Sequence, residues 1–174
     1  TLADGVAIDG FLRSAVSVAA TGLVAYRTGV GNQRQLAWFD RSGTMRGTVG
    51  DPDRNSLSDP RVSPDGRRVA VARTVQGNQD LWLLDGARTS RATFDAASDR
   101  IPLWSPDGTR IVFRSAKTGP GDLYLKLTSG AGMEERLVAS DQIKAPNSWS
   151  VDGRFLLYHS IDSLTDSDLW VVPM

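Results

Sequence analysis

The sequence predicts an all-β chain made of β-propeller blades, each of four antiparallel strands, and three observations carry that prediction. First, the tetrapeptide Ser-Pro-Asp-Gly stands at 63–66 and 105–108 and returns as Ser-Val-Asp-Gly at 150–153, so its copies begin at Ser63, Ser105 and Ser150, spacings of 42 and then 45 residues. A fixed period of this size, carried by a turn motif, marks a repeat architecture. Second, an Asp-Leu-aromatic triplet follows the glycine of each turn by 14 residues in the first two copies and 15 in the third: Asp80-Leu81-Trp82, Asp122-Leu123-Tyr124 and Asp168-Leu169-Trp170. Third, the stretches between these marks are short β-rich runs separated by turn-forming residues.

Each element of the repeat has a physical reason. In the turn, proline sets φ for the second position, aspartate suits the third, and glycine supplies the left-handed conformation that returns the chain to a strand. The leading serine hydroxyl can accept from the turn's own backbone amides. A bulky apolar residue precedes each turn (Val62, Trp104, Trp149), and an apolar run follows it at 69–72, 111–113 and 156–158. The triplet opens a third strand, and runs at 90–94 and 135–138 supply a fourth. An older copy lies upstream, where Gly22 precedes Val24-Ala25-Tyr26 and then Gln35-Leu36-Ala37-Trp38, with 45–49 as its fourth strand. Four repeats of about 40–45 residues describe blades of a propeller. They run approximately over 15–58, 59–100, 101–144 and 145–174 of one domain, 1–174. Residues 1–14, with a strand at 2–8, complete another blade.

The segment 60–71 with Asp80-Leu81-Trp82, and 101–113 with Asp122-Leu123-Tyr124, resembles the WD40-like repeat of TolB-type propellers. The likeness covers roughly 15–174 and is strong in the second and third repeats. The first repeat, 22–27 running into 35–43, is similar to propellers appended to bacterial serine/threonine kinases. The resemblance implies a non-enzymatic module that binds a protein or peptide partner at the channel mouth, as part of a bacterial signalling protein, and favours a periplasmic over a cytoplasmic location. It equally admits a gating propeller of a serine peptidase or other hydrolase, or a propeller that holds a small ligand in its channel.

Composition narrows the partner. Twenty Lys and Arg balance twenty Asp and Glu, giving a formal net charge of zero, which argues against nucleic acid or an anionic membrane as partner. The longest apolar stretch, 15–26, is too short and too polar for membrane insertion. With no cysteine in the chain, disulfides and cysteine-based sites are excluded. The chain opens on Thr and its last repeat stops after a third strand, so an excised or processed part of a larger propeller is expected, either incomplete or completed by pairing with a second copy.

Residues that invite chemistry have simpler readings. His159 occupies a strand site filled by Ala72 and Arg114 in sister repeats, which suits a tolerant position better than a catalyst or a ligand. No Gly-x-Ser-x-Gly elbow exists for a peptidase. Gly29-Val30-Gly31 lacks a third glycine and a helix, so a hairpin loop is expected there rather than a phosphate loop. The carboxylates of Asp162, Asp166 and Asp168 miss the spacing of a calcium loop. Trp82, Tyr124 and Trp170 recur in register as blade packing. No cofactor, no metal site and no catalytic residue are expected. Recognition falls to the starts of the innermost strands, which line the channel: Asp59, Arg61, Arg100, Leu103, Lys144 and Asn147, as the partner-binding mouth.

Overall fold

The computed structural model describes residues 16–18, 24–30, 33–162, 164 and 166–174, with side chains from Gln33 onward. These residues form four antiparallel sheets in which each strand pairs with the next in sequence. The first sheet holds β1 (Val16–Val18), β2 (Val24–Val30), β3 (Gln33–Phe39) and β4 (Met45–Asp53). The second holds β5 (Ser56–Val62), β6 (Arg68–Val75), β7 (Asn78–Asp85) and β8 (Arg88–Arg91). The third holds β9 (Asp99–Trp104), β10 (Arg110–Ser115), β11 (Asp122–Leu127) and β12 (Glu135–Val138). The fourth has three described strands, β13 (Ile143–Trp149), β14 (Phe155–Asp162) and β15 (Asp166–Pro173). The strand expected at 2–8 and the turn at Gly22 lie outside the described residues.

The repeating turn folds as its composition dictates, three times over. In the second sheet the Gly66 amide donates to the Ser63 carbonyl at 2.9 Å, and Gly66 has φ of 74°. The Ser63 hydroxyl donates to Asp65 Oδ1 and accepts from the Arg68 amide at 2.9 Å. Ser105 and Ser150 accept from Arg110 and Phe155 in the same way, at 3.0 and 2.9 Å. The serine therefore closes the hairpin from inside, and Ser63 and Ser105 are fully buried. Replacing proline by Val151 leaves this network intact, because the proline sets only a dihedral angle.

Successive sheets pack face to face, and strand alternation explains how. Val69 and Val71 of β6 pack with Leu36 and Val49 of the first sheet, while Ala70 and Ala72 pack with Trp104, Ile111 and Phe113 of the third. Val112 and Leu123 then meet Leu156 and Tyr158 of the fourth. Both faces of β6 are buried over its centre, and there it reads as the unbroken apolar run Val69-Ala70-Val71-Ala72. Complete burial of a side chain such as Phe113 contributes about 2–3 kcal/mol.

Two polar contacts recur at these joints. Arg68 lies 4.8 Å over the Trp104 ring, and Arg110 lies 5.1 Å over Trp149. The turns also stack, since a Cβ at Gly108 would meet Pro64 Cδ at 3.6 Å and one at Gly153 would meet Pro106 Cδ at 3.9 Å.

Three local expectations need correcting. The fourth strand of the second sheet is Arg88–Arg91, not 90–94. Beyond it the chain leaves the ladder, because the Thr93 hydroxyl takes over as acceptor for the Leu81 amide at 2.9 Å. The fourth strand of the first sheet runs on to Asp53. Gly29 and Val30 belong to β2, which pairs with β3 as far as Val30 and Gln33, so they are not loop residues.

Candidate functional site

The innermost strands β5, β9 and β13 each carry an irregularity of register just before the repeating turn. At this irregularity Asp59 and Ile101 adopt φ of 51° and 54°. Left-handed backbone at a β-branched residue is strained, and the burial of Ile101 holds it in place. Pro146 occupies the equivalent place in β13, where its ring forbids positive φ. Such an irregularity locally breaks the ladder, and Asp59, Arg61, Arg100, Leu103 and Asn147 of the predicted mouth lie at or beside it.

The structure brings Asp59 and Arg100 together across the second joint, with Arg100 Nε 3.9 Å from Asp59 Oδ2. The Asp59 carboxylate also accepts from the Ser58 hydroxyl at 3.1 Å. Arg100 Nε itself is buried and has no hydrogen-bond partner. Arg61 donates to the Pro60 carbonyl at 3.0 Å, and its own carbonyl accepts from Trp104 Nε1 at 2.9 Å. Asn147 is exposed, and its Oδ1 lies 2.8 Å from His159 Nδ1, a bond that requires the proton on Nδ1.

Two predicted mouth residues belong elsewhere. Lys144 is only 1% exposed, and its ammonium donates to Asp122 Oδ1 at 3.0 Å and to the Gln142 carbonyl at 2.8 Å. A lysine so enclosed holds the third and fourth sheets together and offers nothing to a partner. Leu103 packs against the apolar cluster of Val112, Leu123 and Leu156 in the same joint. Both side chains point into the joint because alternate residues of an inner strand face opposite sides.

The repeating aspartate is a structural anchor in two sheets. Asp80 pairs with Arg91 at 2.7 Å, and Asp122 pairs with Arg136 and Lys144. Burial alone would raise the Asp122 carboxyl, but the hydrogen bonds from Lys144, Arg136 and the Ser140 amide outweigh it and hold it below the ordinary aspartate value. At Asp80 burial wins and the carboxyl is raised despite Arg91. Asp168 is half-buried on β15. Asp162 accepts from the Leu164 amide at 2.7 Å at the β14–β15 turn. Among the described residues no group of three or more His, Asp or Glu side chains is placed to hold a metal ion.

Sequence reasoning overlooked Asp99, which is fully buried on β9. Burial pushes it up to about 6, the Ser115 and Thr93 hydroxyls lower it less, and Asp95 and Glu134 raise it further. Its equivalents by register are Leu57 and Lys144, facing Arg73 and Ser160 as Asp99 faces Ser115. An aspartate where sister repeats hold leucine and lysine was the available signal.

A family model described as the TolB beta propeller domain, PD40, matches residues 21–167. This chain belongs to the TolB β-propeller family. It is 28% identical over 108 residues to the Tol-Pal system protein TolB of Desulfosudis oleivorans, covering 60% of this chain and 24% of that protein. It is 32% identical over 96 residues to tricorn protease homolog 1 of Streptomyces coelicolor, covering 53% of this chain and 8% of that protein. The solved structure of TolB from Acinetobacter baumannii superposes with a TM-score of 0.75 at 20% identity, over 91% of this chain and 40% of that one. At that identity the superposition speaks for the fold. The TolB propeller segment seen here thus spans a quarter or less of these two curated relatives.

Proposed function

We propose that this TolB-like propeller segment is a non-enzymatic recognition module of a bacterial signalling protein, holding a protein or peptide partner at its channel mouth. The observation that carries the reading is the contrast between a constant frame and a changing inner edge. The serine-closed turn is the same in three sheets, whereas the positions just before it read Ser58-Asp59-Pro60, Arg100-Ile101-Pro102 and Ala145-Pro146-Asn147. Arg100 is partly exposed beside Asp59, and Asn147 is exposed. These groups can accept and donate to a peptide backbone without any charge excess. From the TolB likeness we infer a periplasmic location.

The test is capture of partners from extracts of the source cells by the native chain and by Arg100→Glu and Asn147→Lys. The expected result is a specific protein retained by the native chain and lost by both variants, with melting temperatures unchanged. Equal retention by all three chains contradicts the mouth as the site. A second reading, the gating propeller of a peptidase, draws support from the relative named a tricorn protease homolog and from an uncharacterized peptidase of Bacillus subtilis, 30% identical over 112 residues. An α/β domain with a Gly-x-Ser-x-Gly elbow in the same gene would favour it.

A further inference from the structure

The joint between the second and third sheets contains a cleft of about 430 Å³, and register explains why it is there. In the third sheet Arg136 pairs with Tyr124, and in the second Arg91 pairs with Trp82, so Arg91 and Arg136 are equivalent. The residues that follow Arg136 are Leu137 and Val138, which pack into the third–fourth joint. The residues that follow Arg91 are Ala92 and Thr93. The smaller pair leaves unfilled the space that Leu137 and Val138 occupy in the next joint, and the buried Leu81, Ile111 and Phe113 are left as an apolar floor.

The rim is cationic. Arg68, Arg88, Arg91 and Lys126 line the cleft, against Asp85 as the one acid of the lining, in a chain with no net charge. Arg68 is stacked on Trp104 and donates to the Gly108 carbonyl, Arg91 is paired with Asp80, and Lys126 with Glu134. The Arg88 side chain makes no hydrogen bond or ion pair with any described residue, and Arg91 Nε is buried without a partner. The cleft wall is β8, the last strand of its sheet, whose outer edge pairs with no described strand and can take up an extended chain. Phe94, 65% exposed beneath Arg91, forms the lip.

We propose that this cleft is a second binding site, for an extended acidic peptide segment that inserts a large apolar side chain over Leu81, Ile111 and Phe113 and sets its carboxylates against Arg88 and Arg91. The volume suits one or two such side chains, at the lower end of ligand sites. This site goes beyond the channel-mouth reading and does not rest on it.

The experiment is fluorescence anisotropy with a labelled hexapeptide, Glu-Asp-Leu-Phe-Asp-Glu, and its charge-reversed counterpart, Lys-Arg-Leu-Phe-Lys-Arg. The acidic peptide is expected to bind saturably at one equivalent, at least tenfold tighter than the basic one, and more weakly as salt is raised. Ala92→Leu restores the filling seen in the next joint and is expected to abolish binding while the melting temperature holds or rises. Arg88→Glu, on an exposed residue, is expected to weaken binding at least tenfold, which keeps the test valid if Ala92→Leu fails to fold. Arg100→Glu at the mouth is expected to change nothing. Absence of saturable binding overturns the proposal, as does binding that survives Arg88→Glu or is lost with Arg100→Glu.

Discussion

Lys144 Nζ stands 3.0 Å from Asp122 Oδ1, with both side chains enclosed between the third and fourth sheets. A buried ion pair tolerates poorly the loss of one member, because the other is left charged and under-solvated. Lys144→Met is therefore expected to cost about 3 kcal/mol, at the lower end of such losses because Arg136 still serves Asp122. Chemical denaturation measures this. A loss below about 0.5 kcal/mol, the scale of an exposed pair, would contradict the structural role assigned to Lys144.

Asp99 gives a pH dependence of opposite sign to an ordinary salt-bridged carboxylate. Its folded value, pushed up to about 6, lies above the ordinary 3.8. The folded chain thus binds its proton more tightly than the unfolded chain, and this contribution to stability is complete below about pH 3.8 and disappears as pH rises through about 6. Asp80, raised by burial, adds to the same trend. Asp99→Asn is expected to melt higher than the native chain at pH 7.5 and to flatten the decline between about pH 4 and 6. Melting curves that fall in parallel for both chains would remove Asp99 as the cause.

The turn glycines test the repeat itself. A Cβ at Gly108 or Gly153 finds ordinary contact distances, so the penalty for alanine is one of backbone conformation at φ of 69° or 72°. Gly66→Ala, Gly108→Ala and Gly153→Ala are each expected to cost about 1 kcal/mol. Three unchanged melting temperatures would mean that the turns do not need the left-handed conformation.

The stacked pairs predict coupling between sheets. A double-mutant cycle on Arg68→Met and Trp104→Leu is expected to return an interaction of about 0.5–1 kcal/mol, and the same cycle on Arg110 and Trp149 a similar value. Additive effects at both joints would show that the contacts are packing without a cation–π component.

The fold was legible because it is written in turns. Ser63, Pro64, Asp65 and Gly66 act within five residues of one another, so their chemistry can be read locally. The Asp-Leu-aromatic triplet located β7, β11 and β15 for the same reason. Long-range outcomes were not legible. Lys144 and Arg100 look alike as cations on inner strands, yet Lys144 is enclosed with Asp122 between the third and fourth sheets while Arg100 stays partly exposed beside Asp59 across the second joint. By register Lys144 aligns with Asp99 and Arg100 with Ala145, one position apart, and that offset is visible only once the strand pairing is known. The cleft was hidden likewise, since Ala92 and Leu137 become comparable only after Arg91 and Arg136 are aligned by strand pairing.

The central claim is that recognition takes place at the inner edge of the sheets, and hydrogen exchange of the chain with and without its captured protein partner tests it most directly. The account predicts added protection over β5, β9 and β13, centred on Asp59, Arg100 and Asn147, with the outer strands β8 and β12 unchanged. Protection confined to the outer strands, with the inner ones exchanging as in the free chain, would contradict it.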